Sequence, residues 1–192
     1  MALTLEQLRA ICPQTGIGKL AVFVEPLNAA FEEFGVGDGL EVAHFFAQAG
    51  QETGGFNWLK EFASGADYDH RADLGNTVPE AIAIAARHGT TPGRFWKGHG
   101  VFQTTGYKNH LRVAEKLGID CVENPELLCE PIGGARAAGL YWRDNALSAL
   151  AQRDDLVGIT KRVNGAATEG PPSHLAERRK YLERAKLALG IA

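Results

Sequence analysis

Two glutamates, Glu52 and Glu61, stand nine positions apart, and their type and spacing suit acid/base chemistry on a bond between sugars. Hydrolysis of a glycosidic bond with inversion takes one carboxyl that holds its proton beside the leaving oxygen. It also takes a carboxylate that holds water on the opposite face, about 6.5 to 9.5 Å away. One unbroken helix would separate the two backbones by about 13 Å, but Gly54-Gly55 lies between them and predicts a chain reversal. Glu52 is expected at the C-terminal end of a helix, where negative charge is disfavoured, with Phe56 and Trp58 near enough to exclude water. That environment suits a proton donor. Glu61, beside Lys60 and the polar Ser64-Gly65-Ala66-Asp67 stretch, suits an ionised base. The chain has 23 acidic residues, so glutamate pairs at this spacing arise from composition alone, and spacing by itself does not decide.

The elements that must position these residues read as helices, because apolar side chains recur three and four apart while strand-type alternation is scarce. Thr4 with Gln7 forms a capping-box pair for a first helix that ends before Pro13. A second helix fills Lys19 to Phe34, with a kink or break expected at Pro26. Asp38 with Glu41 starts the helix that carries Glu52 and stops at Gly54-Gly55. Thr77 with Glu80, and Pro79 in the first turn, predict a helix to about His88; Gly89 to Gly93 then reads as a loop. Further helices fit residues 107–117, 131–145, 154–164 and 174–189. The stretch from Trp58 to Asn76 is the least regular, and long irregular segments in compact domains are often functional. Phe95 to Thr105 reads as a short hairpin.

The chain has 192 residues, 45% of them hydrophobic and 22% charged. That composition fits a single domain over 1–192, with residues 1–36 as an N-terminal helical part packed on the core. A net charge of -3 gives no reason to expect a nucleic-acid partner. No run of apolar residues is long enough for a membrane span, and the N-terminus lacks the basic and apolar regions of a secretory signal. Cys12, Cys121 and Cys129 show no CxxC or Cys/His spacing, which points to reduced thiols of a cytoplasm rather than a disulfide or zinc framework. His44 and His70 lack the His-Glu-x-x-His arrangement, and Ser64 lacks a nucleophile elbow, so neither metal nor triad hydrolysis is expected.

The run Ala47-Gln48-Ala49-Gly50-Gln51-Glu52-Thr53-Gly54-Gly55-Phe56 resembles the signature of glycoside hydrolase family 19, the chitinase and phage-endolysin family, usually Ala-Gln-x-x-His-Glu-Ser/Thr-Gly-Gly. The likeness continues, in the family's order, through Ala63-Ser64-Gly65-Ala66, Asp73-Leu74-Gly75-Asn76-Thr77, Lys97 to Gly106, Asn124-Pro125-Glu126-Leu127-Leu128 and Ile159 to Gly165. Leu5-Glu6-Gln7-Leu8-Arg9 opens the chain as many phage lysis proteins of this family open. The resemblance implies a mainly α, lysozyme-like, two-lobed domain with a small irregular or β segment beside the cleft. It gives Glu52 the general-acid place, Glu61 the general-base place and Thr105 the place that holds the attacking water. Gln103, Asn109 and Asn164 fall on positions like sugar-binding ones, and amides can both donate to and accept from sugar groups. Asn109 or Asn164 equally suits an ordinary helix end. His99 and Gln51 depart from the family's usual Arg and His, which bears on local support and pH response.

Among Tyr68, Trp96, Phe102 and Tyr107, the two expected to stack on sugar rings are Trp96 and Tyr107, although aromatics are more often core. Arg178, Arg179, Lys180, Arg184 and Lys186 give the last helix a local positive surplus that either is merely solvated or draws an anionic wall polymer. Arg178 also offers a partner to Glu61 or Glu169. The resemblance together with the missing signal leads to an expected monomeric endolysin, without cofactor or metal, acting on peptidoglycan glycan strands. Such a protein would be held in the host bacterial cytoplasm until released to the wall, with neither nucleic acid nor membrane insertion involved. A chitinase, or a non-catalytic wall-binding module, are the rival readings.

Overall fold

The structure is a computed structural model that describes residues 2–164 and 172–191; Gly165 and Glu169 lie outside the described residues. Ten α-helices occupy the described residues, joined by short 3-10 turns, with strand pairing reduced to isolated bridges. The mainly α architecture follows the sequence reading. None of these helices is long and apolar enough to cross a membrane.

The chain divides into two compact units, one of residues 1–57 with 138–192 and one of Trp58–Ala137. The first holds α1 (Leu5–Ile11), α2 (Ile17–Phe34), α3 (Gly39–Thr53), α8 (Leu147–Ala151), α9 (Leu156–Val163) and α10 (Leu175–Leu189). The second holds α4 (Pro79–Arg87), α5 (Pro92–Phe95) and α6 (Tyr107–Leu117), and the division falls within α7 (Pro131–Asp144).

In the first unit the Thr4 side chain accepts from Gln7 N–H and Gln7 reaches back to the Thr4 N–H, so α1 begins with both bonds of the capping box. Asp38 caps α3 the same way through Glu41 N–H. The Glu41 side chain, however, turns inward: buried, it accepts from Trp142 Nε1 at 2.9 Å and from the Ser148 hydroxyl. Buried carboxylates are tolerable when their oxygens are satisfied in this way. α3 is the centre of this unit, with Phe45 and Phe46 fully buried and ring contacts linking Phe31, Phe45 and Trp142. A Cβ on Gly50 would sit 2.4 Å from the Tyr181 ring, so the glycine permits α3 and α10 to approach closely. α1 packs on α10 as well.

The second unit is less regular. Its hydrophobic cluster joins Ala81, Ile84, Ala85, Trp96 and Tyr107. The buried Asn76 side chain ties the irregular stretch together, donating to Tyr68 C=O at 2.8 Å and accepting from Tyr107 N–H at 2.9 Å. His99 bridges to Lys60 on one side and to Thr104 on the other, a minimal three-segment ladder where the sequence suggested a hairpin.

Three sequence expectations are corrected, and one helix is added. α2 runs through Pro26 without interruption, since Leu20 and Phe23 before it and Leu27, Ala30 and Phe31 after it are all buried on one stripe. Thr77 does not cap α4, whose N-cap is Val78 with no side-chain bond. The loop expected at Gly89–Gly93 gives way at Pro92 to α5, where proline presets the first helical turn. Helix α8, only five residues long, was too short to show a period.

Candidate active site

Glu52 lies in the last turn of α3, as the sequence required. Gly54 ends the helix in the left-handed conformation at φ 57°, and Gly55 follows at φ 74°. The turn is locked by Thr53, whose hydroxyl donates to Ala49 C=O at 2.6 Å and accepts from Phe56 N–H at 2.7 Å. Phe56 itself is fully buried against Phe23 and Phe46. The group that meets the Glu52 carboxylate is a guanidinium: Arg178 from α10 donates to Glu52 Oε1. The expected aromatic shield is therefore replaced by an ion pair.

Arg178 is only 2% exposed while the Glu52 side chain is 22% exposed, so the pair presents its carboxylate side to solvent. The same guanidinium donates to Gln48 Oε1 at 2.6 Å and to Asn164 Oδ1 at 2.9 Å. Gln48 in turn donates to the Thr160 hydroxyl at 3.3 Å. This set, from α3, the end of α9 and α10, fixes Glu52 and Asn164 in one network of charge-assisted bonds. Tyr141 is near enough for its phenol to be pushed up from the ordinary range, first by burial and then by the Glu52 charge. Asn164 Nδ2 is buried without a partner.

Glu61 belongs to the second unit. Its backbone N–H donates to Gly98 C=O at 2.9 Å, and Gly98 N–H returns a bond to Glu61 Oε2 at 2.8 Å. Tyr68 completes the cradle by donating its hydroxyl to Oε1 at 2.9 Å. Two donors on two oxygens fix its orientation. Burial, then Glu61 itself, pushes the Tyr68 phenol up, as a donor facing a carboxylate should be. A Cβ on Gly98 would lie 2.5 Å from Gln103 Oε1 and 3.2 Å from Glu61 Oε2, so a larger residue here would press on both side-chain ends.

Gln103 thus reaches the same glycine as Glu61. It adopts φ 49°, unusual for a residue with a side chain, and its Nε2 donates to Gly100 C=O at 2.8 Å. Thr105 follows on the same segment, half-buried, with its hydroxyl donating to Gln103 C=O at 2.9 Å. Asn109 is exposed and donates to Thr105 C=O at 2.7 Å.

Trp96 and Tyr107 do not serve as stacking faces. Trp96 is fully buried, donating Nε1 to Val122 C=O at 3.1 Å, and its ring packs on Tyr107 at 4.9 Å. Tyr107 is 4% exposed, and burial followed by a hydrogen bond to Glu80 pushes its phenol up to about 12. Both are core. Among the described residues the exposed large aromatics are Trp58 at 55%, which the sequence reading took as a water-excluding neighbour of Glu52, and Phe62 at 78%, which it passed over; they lie edge-to-face at 5.0 Å on either side of Lys60. A signal was present in their i, i+4 spacing along an extended segment, which puts both rings on one side.

The basic surplus of α10 is largely consumed internally. Besides Arg178, Arg184 donates to Ile11 C=O at 3.2 Å and lies over the Tyr181 ring, and Lys186 pairs with Asp154 at 2.6 Å. Arg178 had been offered Glu61 or Glu169; its partner is Glu52. Among the described residues no three His, Cys, Asp or Glu side chains gather as a metal site.

No family model matches the chain. An endochitinase of Arabidopsis thaliana is 24% identical over 182 residues, which are 94% of this chain and 59% of that relative; the chain thus spans less than two thirds of its length. Among solved structures, chitinase C from Streptomyces griseus aligns over all of this chain and 78% of its own, at TM-score 0.75 and 22% identity. A bacterial family 19 chitinase aligns at TM-score 0.76 and 23% identity, over 100% and 97% of the two chains. A class IV chitinase of the same family from Zea mays gives TM-score 0.70 at 17% identity, over 100% and 94%. The chain has the fold of the family 19 chitinases. The resemblance read from Gln48, Glu52, Gly54 and the Lys97–Gly106 segment therefore holds at the level of architecture.

Proposed function

We propose that this protein is a glycoside hydrolase acting on β-1,4-linked polymers that contain N-acetylglucosamine, and that its substrate is bacterial peptidoglycan, cut for cell lysis. The observation that carries the reaction is the way two glutamates are held: Glu61 oriented by the Tyr68 hydroxyl and the Gly98 N–H, and Glu52 by Arg178 with its outer side open to solvent. Once a glycan strand displaces Glu52 from Arg178, its carboxylate takes a proton from solvent and gives it to the leaving oxygen, while Glu61 takes a proton from water oriented by Thr105. The water attacks the anomeric carbon from the face opposite the leaving group, so the new reducing end carries the inverted anomer. Asn164, held by Arg178 through Oδ1, and Gln103 are the amides assigned to acetamido groups. Trp58 and Phe62 supply the exposed ring faces on which sugars stack.

Peptidoglycan is supported by the Leu5–Arg9 opening, similar to that of phage lysis proteins, together with the glutamate pair. Chitin is the second reading, favoured by what the similar proteins are named for. Turbidity loss of permeabilised Gram-negative cells, set beside oligomer release from chitin, separates the two. Clearing of cells that is abolished by Glu52→Gln supports peptidoglycan hydrolysis, and soluble oligomers from chitin alone support the second reading. Activity on neither polymer, with the fold intact by circular dichroism, removes the enzymatic proposal. Proton NMR of fresh product that shows retained anomers removes the inverting mechanism.

A further inference from the structure

His99 takes no part in the proton transfers just described, yet it sits where the segments carrying Glu61 and Thr105 cross. Its backbone bridges to Lys60 on one side and to Thr104 on the other, each the residue immediately before one of the two. His99 N–H donates to Thr104 C=O at 3.0 Å, and His99 C=O accepts from Thr104 N–H at 2.8 Å. Gly98, its neighbour, is the donor to Glu61. The imidazole is sealed beneath this ladder, 1% exposed and edge-on to the His110 ring with centroids 5.4 Å apart. Its Nδ1 has no partner, and its Nε2 lies 3.7 Å from Glu126 Oε1, too long for a hydrogen bond.

That same Glu126 oxygen is bonded by Lys60. His110, the ring packed against His99, donates Nδ1 to Gly106 C=O at 2.9 Å and so anchors the residue that follows Thr105. The charged and titratable groups facing His99 are therefore Glu126, Lys60, Lys97 and His110. Two cations contend for one carboxylate as soon as His99 gains a proton.

We infer that His99 is a positioning residue whose neutral form keeps Glu61 and Thr105 in register, and whose protonation draws Glu126 away from Lys60 and releases that register. The inference rests on the assignment of Glu61 and Thr105 as catalytic. Burial, the largest influence, holds the imidazole below its usual range, so the neutral form prevails near neutrality. An arginine at this position, usual in the resembling family, would carry a permanent charge; the histidine makes support of the base conditional on pH.

The test compares wild type with His99→Gln and Glu126→Gln. In kcat/KM profiles, each normalised to its own maximum, the acid limb moves down by about one pH unit, a tenfold gain in relative activity on that limb, in both variants. His99→Gln no longer titrates, and Glu126→Gln withdraws the carboxylate that favours the imidazolium. An acid limb unmoved in both overturns the inference. A second readout needs no turnover and no variant at the buried site: in wild-type protein without substrate, the amide resonances of Glu61, Thr104 and Thr105 shift with the same midpoint as the His99 ring, and Glu126→Gln lowers that midpoint. Amides indifferent to the ring overturn the inference. Amides that follow it in a protein without hydrolytic activity uphold it and remove only the catalytic reading.

Discussion

Arg178→Met is the perturbation that most directly probes how Glu52 is held. The substitution keeps an apolar stem of similar length and deletes the guanidinium, which donates to Glu52, to Gln48 Oε1 and to Asn164 Oδ1. Breaking a buried ion pair costs about 3 to 5 kcal/mol. Glu52 retains 22% exposure, so water recovers part of its solvation and the pair itself belongs at the low end. Gln48 is fully buried, and leaving its oxygen unpaired adds about 1 to 3 kcal/mol. The expected total is about 4 kcal/mol, equivalent to roughly 10 °C in Tm for a chain of this size. Urea unfolding followed by circular dichroism measures it. Because much of the cost is an uncompensated carboxylate, Glu52→Gln in the Arg178→Met background should recover about 1 to 2 kcal/mol, a coupling that a double-mutant cycle isolates. A loss below about 1 kcal/mol, or a double variant no more stable than Arg178→Met, would refute the reasoning.

The other expectations concern the Glu61 cradle and the buried histidines. Gly98→Ala puts a methyl 2.5 Å from Gln103 Oε1 and 3.2 Å from Glu61 Oε2; a displacement of that kind should lower kcat about a hundredfold, and undiminished kcat speaks against the cradle. Tyr68→Phe removes the 2.9 Å bond to Glu61 and should cost about tenfold in kcat beside about 1.5 to 3 kcal/mol in stability, the contribution of one hydrogen bond to a charged group; a fall in Tm without a fall in kcat would assign Tyr68 a structural role only. His110 is held by burial at about 3 against an ordinary 6.5. With the folded value depressed, the unfolded chain binds the proton first, so stability is full above about 6.5 and is lost as pH falls toward 3, by about 1.4 kcal/mol per pH unit. Unfolding free energies from urea at pH 7 and pH 5 should therefore differ by about 2 kcal/mol, and His110→Gln should flatten the slope; equal values in wild type would contradict it.

The helices that position the site were legible where local chemistry decides: the capping pairs at Thr4 and Asp38 and the stop at Gly54-Gly55 all operate within one turn of chain. Glu52 could be placed at a helix end for the same reason. Its surroundings could not, because Arg178 is 126 residues away and no pattern in either segment names the other. Trp96 and Tyr107 misled for a related reason: an aromatic near glycines looks the same whether it lines a groove or fills a core, and only tertiary packing on Ala81, Ile84 and Ala85 separates the cases. Pro26 was overruled by packing too, since the buried stripe of α2 holds the helix together across a missing hydrogen bond. The hairpin expected over Phe95 to Thr105 says nothing of the bond from Gly98 to Glu61, which depends on the ladder through His99.

The span between Glu52 and Arg178 has a consequence for how the protein comes into being. A chain growing from its N-terminus exposes the acid in α3 long before the guanidinium in α10 exists to hold it. Until α10 docks, Glu52 and Gln48 are solvated side chains with no fixed aim. The network around Glu52 is therefore complete only when α10 packs over Gly50 and brings Arg178 to both of them.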